Sequence, residues 1–228
     1  MTITLHHLEN SRSQRVLWLL EELGLPYELR QYKRDPKTML APPELMQVHP
    51  LGKSPVITEN GNTVTESGAI VEYLLDTHGV RQGKSYLRPP PQTPERLRFT
   101  YWLHFAEGSA MPYLLMKLVF DKVEQTRVPF FIKPVVKGIT SKVNSTFLMP
   151  NINRQLAYIE SELGRQPWFA GDEFSAADIQ MSFPLEAAAA RVALGSSYPH
   201  IDNWLARIHA RPAYQKALEV GGPYNMVS

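Results

Sequence analysis

His49-Pro50-Leu51-Gly52-Lys53-Ser54-Pro55-Val56-Ile57-Thr58-Glu59-Asn60-Gly61-Asn62-Thr63-Val64-Thr65-Glu66-Ser67-Gly68 holds more structural information than any other stretch of the chain. Two β-prone runs, 55–58 and 63–65, flank Glu59-Asn60-Gly61-Asn62. Asn-Gly between such runs is a strong hairpin signal, because tight hairpin turns need positive φ at their centre. Pro55 stands at the first strand position, straight after a glycine-containing loop. Proline cannot sit inside a ladder, so a sheet edge or a cis turn is its natural place. A cis bond would turn the Ser54 N–H and C=O away from the sheet, where an extended peptide can pair with them as a short added strand. Alone, the segment reads more simply as an ordinary strand-initiating proline. Ser67 then caps a helix carrying Ile70, Val71, Leu74 and Leu75, which stops at His78-Gly79. The Glu66 carboxylate and Ser67 hydroxyl at this helix start suit an ammonium beside an anion, the two charges of an α-amino acid headgroup. A plain Ser cap beside a solvated Glu fits the same residues.

Upstream, residues 2–7 alternate apolar and polar, as a strand does. The polar turn Glu9-Asn10-Ser11-Arg12-Ser13 offers helix caps. Val16, Leu19, Leu20 and Leu23 follow at one-face helical spacing, ended by Gly24 and Pro26. Residues 27–32 read as a second strand, giving a βαβ unit with parallel strands. Residues 35–50 read as irregular. The order βαβ, then ββα, describes this first part. A hydroxyl at the first helix's N-terminus can donate to a thiolate, and positive potential there lowers a thiol's pKa. N-capping alone is the commoner use of such a serine.

Downstream, Lys84-Ser85-Tyr86-Leu87-Arg88-Pro89-Pro90-Pro91-Gln92-Thr93-Pro94 reads as a linker without regular structure. Helical periodicity then runs to about residue 220. Thr93 or Glu95 opens a long helix reaching roughly Val123, with a kink expected at Pro112. Residues 127–150 read as a helix–loop excursion or a lid, and 151–164 as a clear helix. Phe174-Ser175-Ala176-Ala177-Asp178-Ile179 is a capping box with Asp in the Glu position.

Composition narrows the function. The 228 residues, 43% hydrophobic, suffice for two compact domains. Basic and acidic residues nearly balance at 24 and 22 and form no dense basic block, so nucleic acid is not expected as a partner. The opening residues lack the pattern of a signal peptide, and no run is long and apolar enough for a membrane span. A cytoplasmic protein with no membrane partner is therefore expected. There is no cysteine, hence no disulfide, thiolate metal cage or protein thiol nucleophile. Sulfur chemistry here must use a thiol that a ligand brings.

Together, Ser11 to Glu28, His49 to Ile57, Glu66 to Tyr73 and Trp168 to Ile179 resemble the cytosolic glutathione transferases, over nearly the whole chain. The likeness is to the serine-type branch, within it to a fungal and bacterial group whose longer helical domain residues 127–150 would supply. The resemblance implies an α/β plus all-α fold: a thioredoxin-like glutathione-binding domain at 1–80, a linker at 81–94, and an all-helical domain at 95–228 lining the electrophile site. It implies that glutathione is the co-substrate, with no metal, and that its thiolate attacks apolar electrophiles in a detoxification role. By position, Pro55 is the family's cis-proline, Ser54 meets the cysteinyl residue, Glu66 and Ser67 hold the γ-glutamyl headgroup, and Lys53 with His49 faces the glycyl carboxylate. The thiol-activating residue comes from the first turn. Asn10 occupies the slot of the hydroxyl in several members, and its neighbour Ser11 is placed first, Asn10 second. Met111, Tyr113, Leu114 and Leu115 are the expected electrophile wall, and a homodimer is expected. Reduction of a hydroperoxide by the bound thiolate, or glutathione binding without turnover, are the alternative readings.

Overall fold

The computed structural model describes residues 2–192, 194–222 and 224. β1 (Ile3–Leu8), α1 (Ser13–Leu23) and β2 (Tyr27–Tyr32) form the expected parallel unit, paired from Ile3↔Tyr27 to Leu8↔Tyr32. β3 (Val56–Glu59) runs antiparallel along the other side of β1, and β4 (Asn62–Thr65) closes a sheet of order β2-β1-β3-β4. Asn60 and Gly61 carry φ of 54° and 81° in the β3–β4 turn, the double positive φ that a two-residue hairpin demands. α3 (Ser67–Leu74) follows and runs on through a wide turn, Leu75–Gly79.

α1 is the spine of this first half. Its apolar face (Val16, Leu19, Leu20, Leu23) is fully buried, and so are Leu17 and Trp18 on the other side. The second burial comes from helices far along the chain, α8 (Ala176–Arg191) and α10 (Pro212–Gly221), which pack against it. Trp18 meets the Tyr214 ring edge-on at 5.1 Å. Gly24 ends α1 in the left-handed conformation, its N–H donating to the Glu21 and Leu20 carbonyls.

Two segments differ from expectation. Residues 35–50 contain a short helix, α2 (Glu44–Val48). Five residues are too few to show periodicity, but buried Leu45 anchors them. Within 84–94, a single 3₁₀ turn forms at Ser85–Leu87, held by fully buried Leu87.

The second half is helical among its described residues. Thr93 accepts the Arg96 N–H at 3.2 Å and caps α4 (Pro94–Phe105). The kink expected at Pro112 takes a definite form: a π turn, Ala106–Ala110, precedes α5 (Met111–Glu124). A helical proline lacks its N–H and clashes with the carbonyl four residues back. The wider turn is where the ladder absorbs both. The same arrangement recurs before Pro150, where α6 (Lys133–Val143), the π turn Asn144–Leu148 and α7 (Met149–Arg165) form one returning rod. Residues 127–150 are therefore mostly helix, continuous with the helix expected at 151–164. α9 (Pro199–His209) packs on α7 and α8.

The capping box at the head of α8 has a wider role than its motif states. Asp178 Oδ2 accepts the Ser175 N–H and hydroxyl, while Oδ1 accepts the Phe169 N–H and the Trp204 indole N–H, each at 3.0 Å. This fully buried carboxylate ties three parts of the helical domain together. Asp178→Ala should leave buried donors unsatisfied and lower stability by about 3 kcal/mol, read as a reduced urea midpoint with an unchanged m-value.

Candidate active site

The expected site residues gather around the C-terminal end of β1 and the first turn of α1. Ser54 lies just ahead of β3, outside the ladder that begins at His6↔Val56, and the Ser54–Pro55 bond is cis. The Ser54 hydroxyl donates to the His6 carbonyl at 2.8 Å and accepts the Leu8 N–H at 3.2 Å, fastening the bend to β1. That side-chain clasp was not foreseen from the sequence. Gly52, in the loop before it, has φ of 56°, and a Cβ there would sit 2.9 Å from Met46 Cγ. Only glycine lets this loop close over α2. Lys53 is exposed on the same loop, and His49 Nδ1 accepts the Leu51 N–H at 3.4 Å.

β1 delivers the chain into Asn10, left-handed at φ 48°, whose carbonyl accepts from Arg34. Ser11 is buried, and its Oγ accepts the Ser13 N–H at 3.2 Å. It thus caps α1 from one residue further back than Arg12, which makes no side-chain cap itself. Ser11 Oγ also lies 2.8 Å from Ser13 Oγ, which lies 2.9 Å from His7 Nδ1.

The Glu66–Ser67 pair is held from α1. Glu66 is exposed with φ of 67°, a conformation that costs a non-glycine residue about 1 kcal/mol or more and persists only where its surroundings impose it. Buried Ser67 accepts from Arg15 Nη2 at 3.0 Å and from Gln180 Nε2 at 3.1 Å. With both of these donors on its oxygen, the hydroxyl proton remains to be donated outward. Arg15 also donates to the Gln180 carbonyl at 2.6 Å and to Glu107 at 2.5 Å, and Arg12 Nε reaches Glu107 at 2.8 Å. Burial would raise the Glu107 carboxyl, but the two guanidiniums outweigh it and hold its pKa below the usual carboxylate value.

The structure therefore links Ser54, Ser11 and Ser67 through β1 and α1, whereas His49 and Lys53 stay at the loop edge. The four proposed wall residues divide: Met111 and Leu114 are buried in the helical core, Tyr113 is half-buried against Phe147, and Leu115 is exposed. A cavity of about 780 Å³ lies elsewhere, between the end of α3, residues 84–96 and residues 170–173. None of the expected site residues lines it. His7, Arg12, Arg15, Glu107 and Gln180 are additions from the structure. Arg15 left one trace in the sequence, a charge four residues before Leu19 on an otherwise apolar face; the others left none.

Comparison with known proteins identifies the family of both halves of the chain. Residues 1–76 match the family described as glutathione S-transferase, N-terminal domain, and residues 125–212 match glutathione S-transferase, C-terminal domain. Glutathione S-transferase 3 of Schizosaccharomyces pombe is 36% identical over 95% of this chain and 87% of its own length. Glutathione S-transferase 1 of Saccharomyces cerevisiae is 33% identical over 95% and 94%. A crystal structure of a glutathione S-transferase from Actinobacillus pleuropneumoniae superposes with a TM-score of 0.80 at 32% identity, covering 99% of this chain and 95% of that one. A glutathione transferase of Phanerochaete chrysosporium in complex with oxidized glutathione gives 0.72 at 26% identity, covering 96% of each chain.

Because the Glu107 pKa is depressed in the folded state, its contribution is complete above the ordinary value of 4.5 and is lost as pH falls below it. Glu107→Gln should be less stable at neutral pH yet lose less on acidification, as thermal melts from pH 7 down to about pH 3 will report.

Proposed function

The chain belongs to the glutathione S-transferase family and is a glutathione transferase, and on that premise we propose that Ser11 is the residue that activates the glutathione thiol. The observation that carries this reading is the position of its hydroxyl, fixed by the Ser13 N–H in the opening turn of α1. The helix dipole makes that turn positive. A free thiol with pKa near 8.5 is mostly protonated at neutral pH, so stabilising its anion raises the concentration of nucleophile.

The tripeptide lies along the Ser54–Pro55 bend as an added strand, with its cysteinyl backbone on Ser54. Its γ-glutamyl carboxylate accepts from Ser67, whose proton is left over once Arg15 and Gln180 have donated. Its ammonium faces exposed Glu66. Lys53 and His49 lie on the side of the glycyl carboxylate. The electrophile is apolar, and half-buried Tyr113 and exposed Leu115 supply its wall more readily than the core residues Met111 and Leu114. Attack by sulfur forms the thioether and expels the leaving group. Reduction of hydroperoxides is a less supported reading, since the relatives carry the transferase name.

A homodimer in the cytoplasm completes the proposal. The supporting feature is an exposed apolar pair on α4, Leu97 and Tyr101, four residues apart and so on one face. Sedimentation at micromolar concentration should give twice the monomer mass, and a monomer would remove this part of the reading.

Ser11→Ala should lower kcat/KM for an aryl halide about tenfold or more, equivalent to about 1.4 kcal/mol of transition-state stabilisation. It should also raise the pKa of the bound thiol, followed by its ultraviolet thiolate absorbance. Unchanged values for Ser11→Ala together with a loss in Asn10→Ala would transfer the role to Asn10.

A further inference from the structure

We propose that His7 receives the thiol proton of glutathione through Ser13 and Ser11, a three-member relay that reverses direction when the thiol ionises. This rests on the reading of Ser11 as the residue facing the thiol.

The relay begins with the placement of His7. β1 turns its side chain inward, where it is 4% exposed, while the ring of neighbouring His6 bonds the Tyr32 hydroxyl. His7 Nε2 approaches Gly221 at the end of α10, and the ring bonds that residue's backbone. A Cβ on that glycine would lie 3.3 Å from Nε2, 3.0 Å from Gln14 Oε1 and 2.8 Å from Leu17 Cδ2, so the approach depends on its being glycine. The bond favours the charged ring, so it runs from Nε2–H to the Gly221 carbonyl. In the neutral ring, that tautomer leaves Nδ1 as a bare acceptor.

The rest of the chain's direction follows from counting protons. Ser13 has one, and Nδ1 at 2.9 Å is a nearer acceptor than the Leu8 carbonyl at 3.2 Å. Ser13 Oγ then accepts the Ser11 proton across 2.8 Å. Ser11 Oγ already takes the Ser13 N–H on one side. What Ser11 presents outward is a lone pair. That suits a thiol, which donates, and not a thiolate, which accepts.

Ionisation reverses every link. The thiol proton passes to Ser11 Oγ while sulfur keeps the bonding pair. Ser11 passes its own proton to Ser13, and Ser13 passes its own to His7 Nδ1. A neutral thiol and a neutral imidazole become a thiolate and an imidazolium, and each serine still holds one proton. Ser11 now donates outward to the thiolate, and the imidazolium donates at both nitrogens, to Ser13 and to Gly221.

Burial, partly offset by the Gly221 bond, keeps the His7 pKa below the ordinary imidazole value, so the resting ring is neutral at neutral pH. The ionisable groups on the surrounding elements are engaged elsewhere. On the sheet, Arg34 bonds Glu9, Glu59 bonds Tyr73 and His78, and Glu28, Arg30 and Lys33 are exposed. On the helices, Arg12 and Arg15 bond Glu107, Glu21 bonds Tyr27, Glu22 bonds Arg211, and Lys216 pairs with Glu219. His7 and Ser13 are positioning residues in this scheme, since neither touches sulfur.

The test is a pH titration of the thiolate absorbance of bound glutathione, run beside kcat and KM, in the wild type and four variants. His7→Asn retains an acceptor near the Nδ1 position but cannot take a proton. Ser13→Ala breaks the middle link, and Ser13→Thr restores a hydroxyl. His7→Asn and Ser13→Ala should each cut the thiolate fraction and kcat at neutral pH about tenfold or more, with KM for glutathione little changed. The deficit should close at alkaline pH, where the thiol ionises unaided, and Ser13→Thr should recover most of it. If His7→Asn does not fold, the Ser13 pair decides the question. A Ser11→Ala shift unaccompanied by any shift in His7→Asn or Ser13→Ala overturns the relay alone. No shift in Ser11→Ala overturns both the relay and the assignment beneath it.

Discussion

Everything near the site is referred to one buried cation. Arg15 is 1% exposed, and a guanidinium cannot shed its charge in such a place. Its charge must therefore be compensated, and the partners of its two terminal nitrogens come from three separate elements: Ser67 of α3, the Gln180 carbonyl of α8, and Glu107 in the turn between α4 and α5. The Phe183 ring lies 5.3 Å from its carbon centre. Each partner belongs to a different element, so this single side chain joins α1 to α3, to α8 and to the turn between α4 and α5. Leaving such a charge unpaired costs several kcal/mol, which makes the arrangement close to all-or-none.

Glu107 reaches that cation from within a π turn that precedes a proline. The π turn at Ala106–Ala110 rotates the residues within it away from the stripe that a regular helix would give them. Glu107 faces α1 from inside this turn and collects both Arg12 and Arg15. Pro112, which obliges the ladder to open, is thus tied to the electrostatics of a site it does not touch. The second turn of this kind, Asn144–Leu148 before Pro150, carries no charged residue.

What could be read in the sequence was what is decided locally. The Asn60-Gly61 turn, the Gly24 stop, the Thr93 cap and the Ser175–Asp178 box each depend on residues within four positions, and each formed. Ser11, Ser54, Glu66 and Ser67 were legible as polar groups at element boundaries. The residues that hold them were not. Arg15 lies 92 positions from Glu107 and 165 from Gln180, and nothing in the local pattern announces such a meeting. His7 read simply as the last residue of a strand. α2 escaped notice because a helix of five residues has no period to detect, and Met111 and Leu114 face inward because two later helices, α7 and α8, pack against α5.

The double burial of α1 has a consequence for synthesis. Its outer side, with Leu17 and Trp18, is covered by α8 and α10, and its Glu22 finds Arg211 only 189 residues later. While the chain is being translated, the sheet half emerges with the Trp18 indole and Leu17 facing water. Contacts between such distant positions form late, and exposed apolar surface in the interval invites association with other nascent chains. The N-terminal half thus completes its burial only once the last helices have been made, even though its own hairpin and βαβ unit are encoded within eighty residues.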